Sequence, residues 1–479
     1  MRYYIILLML AAQIMVLPLD ITMMGILSPM IMDDLNMSGS EFILASNVYN
    51  IFFAGFFIAS GIIVNKIGYR YSLAISAILF ALTSLLCAQS LNSTHLIVLR
   101  AMQGLSASMV LISCLAFIRI EFSGQRMMLP MAIFSIYIAV GNAMGPLVTT
   151  TLAEAASWRW VFYINIPIAL LATVTICFLS NNKPENQDAG HPPFLPWFLF
   201  GIGLSLMLLF ISYSELASYI FYGICALGAF LVYSSVPKNS LRWKSSSLVQ
   251  SCHSIFGRFS VAGFLYGIGY WSILFYIPVI ARVFFKLSDI KTAFFCLLIT
   301  IPLVISQLLS IFIIRFKGRQ FLYHLSTVGA TFCTLASAYL FTSDYHLLLL
   351  ITISILSFFV GLVNSDVTVS ALTSVAKEKS GFYAGLNTAV RHSGFGIGIL
   401  FHQHVQLNTF MFSTKKYSIE PDQVYELSEA IYSHKDILIN GASFLDDKAV
   451  TLLSNAMMVS LLFASFAFLL SYRVVRPSL

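Results

Sequence analysis

The sequence predicts an all-α integral membrane protein with fourteen transmembrane helices, and three observations carry that prediction. First, 58% of the 479 residues are hydrophobic and only 10% are charged, against about 25% charged in an ordinary soluble domain. With a mean hydropathy of +0.86, 41 Phe and 22 Tyr, the chain carries more apolar surface than water tolerates, which excludes a soluble enzyme and a disordered chain alike. Second, the apolar runs have the length of about 20 residues that carries a helix across a ~30 Å hydrocarbon core, not the alternating pattern of about 10 that a barrel strand needs. Third, the basic residues collect in alternate loops.

In order, the runs fall near residues 4–31, 43–64, 72–90, 95–120, 129–153, 159–180, 195–213, 216–236, 257–281, 290–314, 321–342, 346–374, 382–405 and 450–472. The first follows Met1-Arg2 and continues through Pro18 and Asp20 with no small-residue cleavage site; it reads as a retained helix rather than a signal peptide. An even number of spans puts both termini on one side. With the N-terminus inside, seventeen basic residues fall in inner loops and tails, among them Lys66, Arg70, Arg119, Arg315, Lys317, Arg319 and Lys377, and seven fall outside. This bias makes both ends cytoplasmic. The polar stretch 406–449 is then an outside loop, and its acids outnumber its lysines. The net charge of +7 is thus topological and implies no nucleic-acid partner. The seven cysteines are scattered, mostly within apolar runs, without metal-ligand spacing, and they read as small packing residues.

Two inner loops look alike: Ile63-Val64-Asn65-Lys66-Ile67-Gly68-Tyr69-Arg70 and Ile314-Arg315-Phe316-Lys317-Gly318-Arg319. Each follows the second helix of a six-helix set, which describes a duplicated chain: a bundle over 1–180, two spacer helices and a linker over 181–256, and a second bundle over 257–479 that includes the outside loop.

Further motifs carry a family resemblance. The stretch Gly61 to Arg70 resembles the loop motif G-x-L-x-D-R-x-G-R-K of the major facilitator superfamily, and Arg100-Ala-Met-Gln103-Gly104 resembles its fourth-helix R-x-x-Q-G. Gly141-Asn-Ala-Met-Gly145-Pro146 is similar to the fifth-helix antiporter motif. Leu19-Asp20-Ile21-Thr22, Trp158-Arg159-Trp160-Val-Phe-Tyr-Ile-Asn165-Ile-Pro167 and Gly385-Leu-Asn387-Thr-Ala-Val-Arg391-His392-Ser-Gly394 resemble segments of the fourteen-helix drug:proton antiporter branch. The resemblance implies the major facilitator fold with two inserted central helices, in a multi-pass protein of the cell membrane, for a bacterium the inner membrane. It also implies efflux of a lipophilic or amphipathic small molecule against protons, with the proton gradient as energy source and no cofactor. Two departures stand out: the loop motif's acid is Asn65, which removes or weakens a charged latch, and Thr149-Thr150 replace two glycines.

Charges inside a bilayer are expensive and face the bundle interior with a partner or a water cavity. Asp20 and Arg100, with Gln103 beside them, are therefore expected to carry proton coupling, or to form a fixed ion pair between the first and fourth helices. Asp366, Arg391 and His392 are the corresponding candidates in the second half. Gly61, Asn65, Lys66, Gly68 and Arg70 are expected to gate. Gly141, Gly145 and Pro146 are expected to form a bent, closely packed hinge, matched by Gly394, Gly396 and Gly398. The aromatics Tyr49, Phe52, Phe53, Phe56 and Phe57, and Tyr266, Tyr270 and Tyr276, read as packing stripes. No nucleophile–base set, HExxH or phosphate-binding glycine loop is present, so an enzyme is not expected. Export of one dedicated metabolite, such as a siderophore, and a non-transporting receptor or scaffold stay open as alternatives.

Overall fold

A backbone N–H or C=O left unpaired in hydrocarbon costs several kcal/mol, so a chain this apolar satisfies its main chain within each segment, as a helix does. The computed structural model adopts that solution. It describes residues 2–122, 124–179, 194–195, 197–199, 201–203, 205, 254–283, 285, 287, 289–341, 345–414, 438–439, 442–443 and 447–478. The helices are α1 (Arg2–Leu35), α2 (Gly39–Gly55), α3 (Phe57–Ile67), α4 (Tyr69–Ala88), α5 (Ser93–Glu121), α6 (Met128–Ala155), α7 (Trp160–Tyr163) and α8 (Asn165–Leu179). Then follow α9 (Ile255–Tyr266), a π-helical segment Gly267–Trp271, α10 (Ser272–Val283), α11 (Asp289–Leu340), α12 (His346–Thr373), α13 (Ser380–Thr414) and α14 (Asp447–Val475). Among the described residues, seven helices are long and apolar enough to cross a membrane, and two bent helix pairs pass the same test jointly.

Local sequence explains the boundaries. At the end of α1, Asn36 takes the left-handed conformation at φ 51°, and the Met37 N–H reaches back to the Met32 carbonyl at 2.9 Å, a stop for which Asn is suited. α2 opens with a reciprocal cap between Ser38 and Glu41. The single helix expected over 43–64 is broken at Phe56, where α2 and α3 meet at 50°. A Cβ on Gly55 would lie 2.4 Å from Ser205 Oγ, and Ser205 Oγ donates to the Ile51 carbonyl at 3.4 Å; the described part of the first expected spacer helix packs against this break. α13 runs to Thr414, past its expected end at 405, because no glycine or proline interrupts 399–414. The second expected spacer helix and residues 415–437 of the expected outside loop lie outside the described residues. At the far end of that loop, Leu438–Ile439 pairs antiparallel with Ala442–Ser443.

α11 is 52 residues long, roughly 78 Å at 1.5 Å per residue, more than twice a ~30 Å hydrocarbon core. Gly318 interrupts it with φ 84° and ψ 168°, so it consists of two helical segments joined by a basic turn, at the break between the runs 290–314 and 321–342. Gly68 has nearly the same backbone, φ 81° and ψ 155°. They are the two described glycines with positive φ, in a region of backbone space that is essentially glycine's alone. The two similar loop sequences thus share a conformation, which is the internal repeat expressed in three dimensions.

The chain forms two compact units: Met1–Gly257 with Thr368–Ala389, and Arg258–Val367 with Val390–Leu479. In the first, α1 packs on α6 and α8, and α5 on α2 and α4; in the second, α11 packs on α14. Each unit also has a seam in which backbones touch. In the first, a Cβ on Gly141 of α6 would lie 2.3 Å from the Met15 carbonyl of α1. In the second, a Cβ on Gly394 of α13 would lie 2.1 Å from the Phe264 carbonyl of α9. Both seams join the first and fifth helices of the repeat.

Gly394→Val should therefore destabilise the protein by about 1–3 kcal/mol, the usual cost of overpacking. Gly396→Val, where nothing lies within 4 Å, should leave the thermal midpoint in detergent close to wild type. Equal midpoints for the two variants would show that the seam does not depend on glycine.

Candidate functional site

The deepest charges form one cluster in the first unit. Asp20 on α1 and Arg100 on α5 have no solvent-exposed surface. Arg100 Nη1 donates to Asp20 Oδ2 at 2.5 Å, and Nη2 reaches the Asp20 main-chain carbonyl at 3.4 Å. Gln103, one turn along α5, uses both ends of its amide: Oε1 accepts from Arg100 Nη1 at 2.9 Å, while Nε2 donates to Asp20 Oδ1 at 3.3 Å and to Ser84 Oγ at 2.9 Å. The sequence-predicted trio Asp20, Arg100 and Gln103 is thus brought together.

Two neighbours were missed as site residues. Asn165, the first residue of α8, donates through Nδ2 to Asp20 Oδ1 at 3.1 Å and to Ser84 Oγ at 3.3 Å. Tyr49, read from the sequence as packing, lays its ring 4.4 Å from the Arg100 guanidinium, a cation–π contact that is stronger away from water. The position of Asn165 had a signal: Pro167, two residues on, suits the first turn of a helix, where its missing N–H is no loss, so a short polar side chain just before it starts the helix pointing inward. Chemically the cluster offers the carboxylate of Asp20 a guanidinium and two amides, charge-assisted bonds that act against the desolvation of a buried charge.

In the second unit, Asp366 is fully buried and accepts from Arg319 Nε at 3.2 Å. Arg319 had been assigned to loop topology, and it instead turns back onto α12. Arg391 Nη2 donates to Asn364 Oδ1 at 2.9 Å. Its stem lies against Gly263, where a Cβ would sit 2.7 Å from Arg391 Cγ, in a narrow crevice lined by Gly263, Tyr266, Val360, Asn364, Val367 and Arg391. His392 is half-buried next to it. A histidine not singled out in the sequence, His402, is fully buried with Nε2 3.2 Å from the Ile268 carbonyl of the π segment.

The residues expected to gate lie at the end of α3 and the start of α4. Asn65 Oδ1 accepts from the Gly381 N–H at 2.8 Å, and a Cβ on Gly61 would lie 2.4 Å from the Gly381 carbonyl. Asn65 therefore keeps a latch, in neutral form: its amide oxygen caps a free N–H in the first turn of α13, as helix-capping residues do. Lys66 is exposed, and Arg70 donates to the Cys177 carbonyl at 2.5 Å. Beside them Arg119 Nη2 donates to the Val375 carbonyl at 2.8 Å and Lys377 Nζ to the Ile120 carbonyl at 3.3 Å, two further cations that serve packing as well as topology. In α6, Gly141 and Gly145 both sit against α1, and the helix bends by 49° between Met128–Asn142 and Leu147–Ala155. The Pro146 side chain lies outside the described residues. Thr149, in place of a motif glycine, is buried.

At the opposite end of the unit Arg159 pairs with Asp34, Trp158 Nε1 donates to the same oxygen at 3.1 Å, and Arg159 Nη2 donates to the Ser90 carbonyl at 3.3 Å. The hydrogen bond from Arg159, helped by that from Trp158 and by the cation's charge, holds the Asp34 carboxyl below the usual carboxylate range against a small opposing effect of burial.

Two outcomes are expected. Arg100→Ala strands the Asp20 carboxylate in the interior and should cost about 3–5 kcal/mol, read as a drop in the thermal midpoint in detergent that Asp20→Asn in the same background partly restores. Because the carboxyl of Asp34 is depressed in the folded state, its contribution is present above the unfolded value of about 3.9 and is lost as pH falls through the folded one. The midpoint of the wild type should then fall more steeply with acid than that of Asp34→Asn.

The sequence pattern of the Major Facilitator Superfamily matches residues 10–399. The chain is 29% identical over 180 residues to the tetracenomycin C resistance and export protein of Streptomyces glaucescens, a stretch that is 37% of this chain and 34% of that one. It is 31% identical over 207 residues to the puromycin resistance protein pur8 of Streptomyces alboniger, 42% of this chain and 40% of that one. It is 30% identical over 182 residues to the putative multidrug resistance protein MdtD of Yersinia pestis, 36% and 38% of the two chains. The matched stretches thus span about a third to two fifths of these relatives' lengths. Among solved structures, the proton:xylose symporter XylE superposes with a TM-score of 0.65 at 12% identity, covering 99% of this chain and 96% of that one. The human organic anion transporter MFSD10 gives 0.63 at 12%, covering 99% and 98%. Matched over most of its length and folded like solved members at low identity, the chain belongs to the Major Facilitator Superfamily.

Proposed function

We propose that this chain is a secondary transporter that exports a lipophilic or amphipathic small molecule in exchange for protons, by alternating access. The observation that carries the reading is the Asp20 cluster: a carboxylate with no exposed surface, held by one guanidinium and two amides. Burial penalises the charge of Asp20 and Arg100 favours it. A group held between opposing influences of that size changes protonation when its access to water changes, which a coupling site requires. A proton taken from outside neutralises Asp20 and weakens its hold on Arg100; release to the inside restores the pair. The conformations that differ in access then differ in stability according to the state of Asp20, and the gradient biases the cycle.

The names of the relatives support the direction and the class of cargo, since they are a tetracenomycin C resistance and export protein, a puromycin resistance protein and a putative multidrug resistance protein. The proposed topology is fourteen helices with both termini cytoplasmic, two six-helix bundles with two helices inserted between them, and residence in the cell membrane, which for a bacterium is the inner one. The proposed partners are the solute, protons and the bilayer, with no nucleic acid and no cofactor. Asp366, Arg391 and His392 are assigned to the solute path or to a second titrating site, and Gly61, Asn65, Lys66, Gly68, Arg70, Gly141, Gly145 and Pro146 to the moving contacts.

The test is Asp20→Asn in inverted membrane vesicles with an imposed pH gradient and a panel of cationic, neutral and anionic amphipaths. Gradient-driven accumulation should be lost while the variant still inserts, with a lowered thermal midpoint because Arg100 loses its buried partner. Wild-type accumulation in this variant would remove Asp20 from the coupling mechanism.

A further inference from the structure

The two amides that meet Asp20 Oδ1 are not equivalent. Gln103 is committed at both ends, its oxygen to Arg100 and its nitrogen to Asp20 and Ser84. Asn165 donates through Nδ2 to Asp20 and Ser84, yet its own Oδ1, fully buried, has no hydrogen-bond partner among the described residues. An unpartnered amide oxygen in a dry interior costs about 1–3 kcal/mol, and it sits on the one side chain of the cluster that is free to exchange its two ends.

A proton arriving at Asp20 makes that asymmetry consequential. Oδ2 faces the Arg100 guanidinium, which only donates, so the added hydrogen belongs on Oδ1. There it meets two amide N–H groups, and donor would face donor. Turning Gln103 over would aim its NH₂ at Arg100 Nη1 and create the same conflict. Turning Asn165 over about its last side-chain bond brings its vacant oxygen to the new Asp20 O–H. Ser84 loses one donor but keeps the bond from Gln103.

We infer that Asn165 is the positioning residue that serves both protonation states of Asp20, donating to the carboxylate and, with its amide turned, accepting from the acid. The inference rests on the proposed role of Asp20. It adds that the proton is held at Oδ1, on the side away from Arg100, and that the amide at the start of α8 changes partners with each proton taken up. Because α8 packs on both α1 and α4, this exchange changes the bonding where all three helices meet.

The test combines transport with infrared difference spectra of the full-length protein in vesicles, recorded between alkaline and acid pH. The wild-type acid-band envelope should contain, on acidification, a carboxylic-acid carbonyl component that is missing from Asp20→Asn, together with an asparagine side-chain amide band. Asn165→Leu, similar in volume and without polar atoms, should lose the amide band, shift the acid band to the higher frequency of a carboxyl lacking its acceptor, and slow gradient-driven transport roughly tenfold, the equivalent of one unmade hydrogen bond. Asn165→Ser, whose hydroxyl donates or accepts as required, should recover most of the rate and return the acid band towards its wild-type position. Should Asn165→Leu not insert, the serine variant decides alone: an acid band at the wild-type frequency supports the exchange, and one shifted as far as that of an unbonded acid overturns it. An Asp20-dependent acid band and a transport rate both unchanged in Asn165→Leu would overturn the role of Asn165 and leave that of Asp20 standing. An acid spectrum identical in Asp20→Asn and in the wild type, with no component lost, would instead overturn the role of Asp20.

Discussion

The first unit is arranged around a single electrostatic constraint, the pairing of Asp20 with Arg100 where neither side chain has any exposed surface. Neither charge can be left alone there, since breaking such a pair by removing one member costs several kcal/mol. The constraint reaches four helices. α1 and α5 hold the two ions at 2.5 Å, α8 contributes Asn165, and α4 contributes Ser84, which receives both amides. Hydrophobic matter then closes the space: Leu19, Met23, Leu99 and Phe162 belong to one continuous buried cluster beside the pair. Between lipid-soluble surfaces there is little hydrophobic force to position helices against one another. The polar centre therefore supplies orientation that apolar packing alone does not, and the directional bonds of Arg100, Gln103 and Asn165 fix the rotation of α5 and α8 about their axes.

A second constraint is steric and is written twice. The first and fifth helices of each half approach until backbone meets backbone, at Gly141 against Met15 and at Gly394 against Phe264. The basic turns carry the matching pair Gly68 and Gly318 with almost identical backbone angles. What the two loops and the two seams share is a residue without a Cβ, while the ionisable residues around them differ. In the first half the acid is on the first helix and its cation on the fourth. In the second, Asp366 on the fourth helix meets Arg319 from the turn, and Arg391 on the fifth meets a neutral amide.

How much of this was legible in the sequence depended on the physics of each feature. Span positions were, because lipid imposes a length and a composition on any helix that crosses it; α4, α5, α12 and α14 begin and end within a few residues of their apolar runs. The break at Phe56 was not, because it arises from tertiary packing of Gly55 against Ser205, which no local signal in 43–64 encodes. Asp20, Arg100 and Gln103 were legible as charges and amides too costly to bury idly. Tyr49 was not, since an aromatic facing a cation has the same spacing as one facing a leucine. Arg319 and Arg119 were taken for topology because a basic residue at a helix end satisfies the charge rule whether or not its guanidinium turns inward. Asn65 shows the reverse. Loss of the acid was read as loss of a latch, yet a carbonyl oxygen suffices to cap an N–H, so the bond persists without its charge.

That neutral latch and the ionic centre respond to different variables. The Asn65 bond joins an amide to a main-chain N–H; no proton in the ordinary pH range alters it, and salt screens it little. The Asp20 cluster contains a group whose charge is the thing being stabilised. If the contact at position 65 were also a carboxylate, acidification would act on it and on the proposed coupling site at once, and the two effects would be hard to separate. With Asn at position 65, the contact between α3 and the start of α13 holds equally at either pH, and any dependence of the proposed cycle on the proton is left to groups such as those around Asp20. The substitution that looked like decay of a motif is, in physical terms, a division of labour between a contact that is constant and a cluster that is titratable.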